Sequence, residues 1–282
     1  MRAYDRLKYS TPTMFLYNLY LRYMCRRVKK YIFVATTGRS GTASLSNMFS
    51  QFPNVISMHE PYPIMFMDLD SRKDMGLDKR MQKRKMINIR RASRYYDYYL
   101  ETNHQFIKRF HHTVLEELKK RAAVIHLVRN PEDVARSFHA IGSIPGETEN
   151  GRRYLLSPFE QGNLIDFKKI TDDTPRFNDG FYKCLWYWYE IEERIKAAKK
   201  TYSRIQWHRL NTEDLNNYDQ LAVLAASLGL RDLDLSRLKF FRTNLKAHQK
   251  KDRGVARDKA VEMNKDFYEA LVRLNQINRE DN

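Results

Sequence analysis

A short glycine-containing loop is the first feature of the sequence whose residue types could do chemistry. It runs Thr37-Gly38-Arg39-Ser40-Gly41-Thr42-Ala43-Ser44, after an apolar run at 31–36 that is typical of a buried strand and at the start of a helical pattern at 42–51. Glycines let the backbone approach a ligand closely, and amides at a helix N-terminus point toward an anion. Arg39 adds a permanent positive charge. The pattern predicts a phosphate cradle.

This loop differs from the Walker A loop of nucleoside triphosphatases. A Walker A loop has four residues between its glycines and a Lys after the second one. Here two residues separate Gly38 from Gly41, and Thr42 follows. A P-loop nucleotide kinase or NTPase, which would bind ATP with magnesium, therefore stays only as an alternative.

A second anion site is predicted at Arg129-Asn130-Pro131. The strand pattern at 123–128 ends at Arg129, and Pro131 begins a helical pattern at 131–140 on which Ser137 lies about two turns along. Arg129 and Ser137 are therefore expected to reach the same phosphate. A triphosphatase would more often carry a magnesium-binding Asp after such a strand.

Two candidate proton acceptors also follow predicted strands. Glu60, within His59-Glu60-Pro61, comes after the strand pattern at 54–58, and His104 comes after the pattern at 98–101. A carboxylate or imidazole beside a phosphate cradle is a candidate general base. The residues themselves leave open which of the two serves.

Strand and helix patterns alternate along the chain, which predicts an α/β fold. We expect a single domain over residues 1–282: a P-loop-like three-layer sandwich with a mostly parallel central sheet, whose ligands bind at the carboxyl ends of the strands. Residues 141–180 show little periodicity, so we expect a loop region that shapes the acceptor site. Further patterns predict helices at 106–120, from 181 to 195 and at 259–275, a strand at 204–210, and a helix capped by Thr212.

The two anion motifs together resemble those of sulfotransferases. Residues 31–61 are similar to the 5′-phosphosulfate-binding region of the carbohydrate and tyrosylprotein types, which carry an Arg-Ser-Gly-Ser/Thr loop, and residues 124–137 to the 3′-phosphate motif. The interval from Arg39 to Glu60 matches the position of a catalytic Glu in those families. Residues 212–215, Thr-Glu-Asp-Leu, resemble a Tyr-Glu-Asp-Leu segment, with Thr in place of Tyr.

The resemblance implies 3′-phosphoadenosine 5′-phosphosulfate (PAPS) as the donor substrate, with no metal. Arg39 would neutralise charge on the bridging oxygen, residues 42–44 would hold the 5′-phosphate, and Arg129 with Ser137 the 3′-phosphate. Glu60 would take the proton of an acceptor hydroxyl, on a carbohydrate or glycolipid. Cytosolic sulfotransferases use as their base a His that follows Lys-Thr. In this sequence Thr102-Asn103-His104 is shifted by one residue and Glu101 replaces the Lys. Glu60 therefore ranks above His104 as the base.

A formal net charge of +17 predicts an anionic partner. Residues 79–94, from Lys79 to Arg94, hold eight Lys or Arg and no acid, which indicates either a solvated helix face or a surface for an anionic acceptor or membrane. Nucleic acid is disfavoured because no zinc-finger or RNA-recognition motif accompanies the charge. A nonenzymatic basic module that binds nucleic acid or membrane remains the other alternative.

Residues 1–30 form a basic and aromatic N-terminal segment. Its apolar run at 14–24 is too short to span a bilayer, so we expect a helix that packs on the domain. The second interpretation is that this helix lies on an anionic membrane surface. Only Cys25 and Cys184 are present, which favours a reducing, cytoplasmic location with peripheral membrane association left open. The basic stretch at 243–251 is a candidate to close over the nucleotide.

Overall fold

The computed structural model describes residues 11–67, 75–230 and 254–277. Within them one five-stranded sheet has the order β2-β3-β1-β4-β5, and each neighbouring pair is parallel. The strands are β1 Lys30–Ala35, β2 Val55–His59, β3 Tyr98–Thr102, β4 Ala122–Val128 and β5 Gln206–Asn211. The α/β fold with a mostly parallel sheet is confirmed. The stretch at 243–251 lies outside the described residues, as do residues 1–10.

The sheet is covered on both faces because alternate residues of its central strands enter different apolar clusters. In β1, Tyr31, Phe33 and Ala35 belong to the larger cluster, whereas Ile32 and Val34 belong to the smaller one. Side chains of a strand alternate between the faces of the sheet, so strands buried on both faces are apolar throughout. This explains the apolar runs that marked β1 and β4 in the sequence. The run of β4 is interrupted by His126, whose buried ring bonds to Glu192.

Helices pack in layers on the two faces. The smaller cluster receives apolar side chains from α2 Thr42–Phe49 and α9 Tyr218–Ser227. The larger cluster receives them from α3 Met75–Ser93, α4 His111–Leu118, α5 Pro131–Ala140, α8 Gly180–Thr201 and α10 Arg257–Arg273. An N-terminal helix, α1 Thr11–Met24, contacts α3. No helix in the described ranges is both long and apolar enough to cross a bilayer.

The region at 141–180 contains more regular structure than its sequence indicated. It holds α6 Glu149–Tyr154, α7 Phe167–Asp173 and a 3-10 turn, Pro175–Asn178. Helices of six and seven residues are too short to show a clear 3.6-residue period, which is why the sequence did not reveal them.

The fully buried Glu190 on α8 holds this region in place. Its carboxylate accepts hydrogen bonds from the amides of Leu164, at 3.0 Å, and Ile165, at 2.8 Å, and from Arg194 Nε at 2.6 Å. Trp186 adds a bond from Nε1 to the Ile165 carbonyl. Because Glu190 accepts from two backbone amides, one of them buried, and from one cation, it fixes a segment that has few regular hydrogen bonds of its own.

We expect Glu190→Ala to lower the free energy of unfolding by about 3 kcal/mol, since it leaves these donors without an acceptor. Glu190→Gln keeps an acceptor oxygen and should cost less. Urea unfolding measures both, and Glu193→Ala, a partly exposed neighbour on α8, is the control and should stay within about 0.5 kcal/mol of wild type. Equal midpoints for Glu190→Ala and the control would contradict this role.

Candidate active site

The residues singled out in the sequence lie at the carboxyl ends of four adjacent parallel strands. The loop at 37–42 follows β1, Glu60 follows β2, His104 follows β3 and Arg129 follows β4. Ser137 is on α5, which begins directly after Arg129. All of these residues therefore meet at one edge of the sheet.

Left-handed backbone gives the loop its shape. Gly38, Arg39 and Gly41 have φ angles of 86°, 58° and 84°. A Cβ at Gly41 would lie 2.5 Å from Leu215 Cδ1, so a larger residue would force the loop away from the 3-10 turn at Thr212–Asn216. Arg39 takes a conformation that is costly for a residue with a side chain, which fits a site where the fold dictates the geometry.

Hydrogen bonds hold the interior of the loop. The hydroxyls of Thr37 and Ser40 both donate to the Gly38 carbonyl, at 2.9 and 3.0 Å, and both side chains are buried. Thr37 and Ser40 thus support the loop with their side chains and could bind a ligand through their amides.

The start of α2 forms the anion-binding part of the loop. Gly41 is the N-cap, without a side-chain cap, and the helix leaves its first amides, at Thr42 and Ala43, without intrahelical acceptors. These amides and the helix dipole favour a negatively charged group. Ser44 lies in the same turn and is half-buried.

Two residues that the sequence did not assign to the site anchor the loop from behind. The Thr212 hydroxyl lies 2.9 Å from the Ser40 carbonyl and 3.0 Å from the Val128 carbonyl, and Tyr187 Oη donates to the Thr37 carbonyl at 3.0 Å.

The expectation that Thr212 caps a helix is wrong. Asn211 precedes a 3-10 turn there, and Asn217 caps α9, because the Thr212 hydroxyl is turned toward the loop.

Arg39, Arg129 and Ser137 are in direct contact. Arg39 Nε donates to Ser137 Oγ at 2.9 Å, and Arg129 Nη1 donates to the Arg39 carbonyl at 3.0 Å. Burial, and secondarily the charge of Arg129, lowers the pKa of the Arg39 guanidinium. Arg129 already pairs with Asp133 at 3.1 Å, so a bound anion would chiefly offset the repulsion between the Arg129 and Arg39 guanidinium groups.

A cavity of about 320 Å³ adjoins Arg129 between β4, β5 and α8. No residue of the loop at 37–42 lines it, whereas Glu192, Glu193 and Glu213 do. Three cations, Arg129, Lys196 and Arg209, line the same cavity, so its charges are balanced and do not favour an anion. The candidate anion site is therefore the loop with Arg39 and Arg129.

Glu60 and His104 form a hydrogen-bonded pair, with His104 Nδ1 2.5 Å from Glu60 Oε1. The side-chain amide nitrogen of Gln105 donates to the Tyr154 carbonyl at 2.9 Å and lies 3.0 Å from His104 Nε2. An amide nitrogen only donates, so Nε2 must accept, and the proton of a neutral His104 is on Nδ1, directed at Glu60.

The charges of this pair follow from burial and hydrogen bonding. Burial acts to raise the pKa of Glu60, but the His104 hydrogen bond and nearby positive groups outweigh it, so the pKa of Glu60 is lowered. Burial, with the charge of Lys108, lowers the pKa of His104 despite Glu60. At neutral pH the pair is a carboxylate and a neutral imidazole. Both ring nitrogens of His104 are occupied, whereas no described residue bonds to Glu60 Oε2.

A buried ion pair lies under Glu60 and His104. Lys85 Nζ is 2.5 Å from Glu101 Oε1, and the two side chains are 1% and 0% exposed. Lys85 also donates to the carbonyls of Pro61 and Pro63, at 3.1 and 3.3 Å. Lys85 therefore ties the turn after Glu60 to β3.

Glu101 completes this arrangement on the β3 side. It accepts from Tyr99 Oη at 2.7 Å and from Asn103 Nδ2 at 2.9 Å, directly before His104. The expectation of a solvated face for residues 79–94 therefore fails at Lys85 and also at Arg90, which is buried and bonds to Asn18 and Glu117. Lys79, Lys83, Arg84 and Arg91 are exposed.

We expect Lys85→Met to lower the free energy of unfolding by about 3–5 kcal/mol, because it leaves the Glu101 carboxylate buried and unpaired. Lys85→Met/Glu101→Gln should recover at least about 2 kcal/mol of that loss, as measured in a urea double-mutant cycle. Lys83→Met, an exposed neighbour, is the control and should change stability by about 0.5 kcal/mol or less. Additive single effects would show that the pair is not coupled.

Comparisons with known proteins identify the family of this chain. Residues 29–203 match a family model described as the sulfotransferase domain. A search of curated protein sequences found no match. One similar solved structure is a sulfotransferase from Alicyclobacillus acidocaldarius, which is 14% identical, with 89% of this chain and 97% of that chain covered and a TM-score of 0.48. Another is a sulfotransferase domain of the Synechococcus PCC 7002 olefin synthase, which is 14% identical, with 85% of this chain and 94% of that chain covered and a TM-score of 0.46.

The family model covers more than half of the chain and spans the loop at 37–42, Glu60, His104, Arg129 and Ser137. The chain therefore belongs to the sulfotransferase family and is a PAPS-dependent sulfotransferase.

Proposed function

We propose that the loop at 37–44, Arg129 and Ser137 bind PAPS, and that Glu60 activates an acceptor hydroxyl. The observation that carries this proposal is the convergence, at one sheet edge, of a helix N-terminus, two arginines and a carboxylate–imidazole pair. The amides of Thr42, Ala43 and Ser44 would hold the 5′-phosphate. Ser137 Oγ accepts from Arg39, so its own hydroxyl proton is available to a 3′-phosphate oxygen.

The reaction is an in-line displacement at sulfur. The acceptor oxygen forms a new bond to sulfur as the bond between sulfur and the bridging phosphate oxygen breaks. Glu60 takes the acceptor's proton, and Arg39 neutralises the charge that develops on the leaving 5′-phosphate oxygen. The products are the sulfated acceptor and adenosine 3′,5′-bisphosphate, and the protein contributes positioning and charge stabilisation.

Glu60 suits the role of base better than His104 does. Glu60 Oε2 is open to an acceptor, whereas His104 donates to Glu60 from Nδ1 and accepts from Gln105 at Nε2. His104 thus acts as a positioning residue that holds the carboxylate and keeps it ionised.

We propose a carbohydrate hydroxyl, free or on a glycolipid, as the acceptor. The loop type supports this, since the Arg-Ser-Gly-Thr sequence resembles that of the carbohydrate enzymes. The walls beside the base also support it: Phe66 and Tyr154 meet edge to face at 5.2 Å, and Arg153 lies 4.4 Å above the Phe66 ring. On the other side, Arg84 donates to Tyr62 Oη at 3.1 Å. Aromatic rings with adjacent cations suit a sugar that carries acidic groups.

We further propose that residues 1–282 form one sulfotransferase domain and that 141–180 contributes to the acceptor site. Helix α6 of that region supplies Arg153 and Tyr154. The Tyr154 carbonyl accepts from both Gln105 and Lys108, so this helix is tied to the base side of the site.

We expect Glu60→Gln to abolish turnover while donor binding persists, because the amide keeps the shape of the carboxylate and cannot accept the proton. Turnover is measured with radiolabelled PAPS and an acceptor found by screening sugars and glycolipids. Calorimetry with adenosine 3′,5′-bisphosphate measures the binding. Nearly full activity of Glu60→Gln together with an inactive His104→Leu would reverse the assignment.

Two His104 variants serve as controls for this assignment. His104→Leu removes the hydrogen bond that lowers the pKa of Glu60. Burial, which raises that pKa, is then opposed less, so the pKa of Glu60 rises. The base is active only when ionised, so the acid limb of kcat/KM moves to higher pH. His104→Asn keeps a donor near the Nδ1 position and should leave the limb near that of wild type. A limb that moves equally in both variants would exclude the positioning role.

We expect Arg129→Met to reduce affinity for adenosine 3′,5′-bisphosphate by about 2–3 kcal/mol while affinity for adenosine 5′-phosphate changes little. The reason is that Arg129 is assigned to the 3′-phosphate alone. Calorimetry with both nucleotides measures this difference. Arg176→Met, which removes an exposed arginine paired with Asp266, is the charge-matched control. An equal loss for both nucleotides would refute the assignment.

A further inference from the structure

One face of helix α1 exposes a continuous apolar and aromatic stripe. Phe15, Leu16, Leu19, Tyr20 and Tyr23 are between 46% and 65% exposed. Their spacing of one, three, one and three residues keeps them within a single face of an α-helix. Contiguous apolar surface of this kind marks an interaction site more often than scattered single residues do.

The opposite face of α1 is packed, which fixes the stripe outward. Leu21 is fully buried, Asn18 Oδ1 accepts from Arg90 Nη1 at 2.6 Å, and Cys25, just after the helix, is buried. The sequence-based expectation of a helix packed on the domain holds for this face alone. Tyr95, which is 58% exposed and follows α3, extends the exposed aromatic surface.

Basic residues surround the stripe. Arg22 and Arg26 are exposed, and so is Arg91, which follows the Arg90 that bonds to Asn18 of α1. The Arg26 guanidinium lies 5.2 Å above the Tyr23 ring, and that of Arg94 lies 4.4 Å above the Tyr95 ring. These contacts place positive charge directly beside the apolar surface.

Two carboxylates of the described residues pair with these basic groups and do not offset their charge. Glu117 pairs with both Arg22 and Arg90, and Asp97 pairs with both Arg27 and Lys29. Each of these acids is matched by two cations, so the surface keeps a positive excess.

The charge argues against a second copy of this chain as the occupant. A symmetric dimer through this face would bring the same arginines of two copies together, and like charges in an interface are costly. An anionic lipid surface instead matches both components. Tyrosine and phenylalanine rings favour the headgroup region of a bilayer, and arginines beside it attract anionic headgroups.

We infer that the exposed face of α1, together with Tyr95 and the arginines around it, binds the surface of an anionic lipid bilayer. The helix lies in the interface without crossing the membrane. This surface is near the amino ends of the strands, since the Lys29 amide donates to the Asp97 carbonyl just before β1 and β3. The donor site is at the carboxyl ends, so lipid binding leaves it open.

Flotation with phosphatidylcholine vesicles, with and without phosphatidylserine, tests this inference on the full chain. We expect binding to the serine-containing vesicles that weakens with added salt, and little binding to the neutral ones. Phe15→Ser/Leu19→Ser and Arg26→Glu/Arg91→Glu should each lower the partition coefficient at least about tenfold, because they remove the apolar and the electrostatic component respectively.

Val223→Ser/Val261→Ser is the matched control, because these side chains are exposed to a similar degree, at 64% and 50%, and lie outside both α1 and 141–180. It should bind vesicles as wild type does. All variants should keep the wild-type urea midpoint and affinity for adenosine 3′,5′-bisphosphate, so loss of lipid binding is distinguishable from failure of the proposed function. Absence of wild-type binding, equal binding by the α1 variants, or a dimer that the α1 variants dissociate would overturn the inference.

Discussion

The position of Glu60, the proposed base, depends on the ion pair between Lys85 and Glu101. Removal of two charges from water is expensive, and such a pair is stable only when its remaining hydrogen-bonding capacity is satisfied. Here it is: Lys85 reaches two carbonyls of the turn after Glu60, and Glu101 accepts from Tyr99 and from Asn103. Because these hydrogen bonds satisfy the two buried charges, the pair holds the turn after Glu60 against the end of β3, which carries His104.

The donor side is fixed to the same edge by different contacts. Parallel pairing of β1 with both β3 and β4 puts the loop at 37–42 between the base and Arg129. A Cβ at Gly38 would lie 3.4 Å from His104, so the loop and the base side are already in near contact. Thr212 joins the loop to the end of β4. A shift of any one strand end would therefore separate the groups that we propose act on one sulfuryl group.

Local signals in the sequence correctly predicted that several candidate site residues lie at strand ends. The glycines of the loop, Arg129 and Glu60 each follow an apolar run, and the alternation of strands with helices implied that their ends share one edge. Contacts between distant segments gave no such signal. Lys85 is one of several lysines and arginines in a basic stretch, and only packing against Glu101 and Phe110 distinguishes it from the exposed Lys83. The same is true of Thr212, whose hydroxyl bonds are to carbonyls more than eighty residues away.

Burial also decides where charge remains at the site. Lys108 donates to Tyr187, which in turn donates to the loop at Thr37, so a chain of hydrogen bonds runs from the base side to the donor side. Burial lowers the pKa of Lys108 far below its usual value, and it lowers that of His104 as well. His104 keeps its hydrogen bond to Glu60 as a neutral imidazole at neutral pH, because its pKa is lowered from an ordinary value that is already below 7. The Glu60 carboxylate therefore lies on the proposed acceptor side, and the guanidinium groups of Arg39 and Arg129 lie on the proposed donor side. This separation suits a reaction in which a proton leaves the acceptor as negative charge builds up on the donor's phosphate.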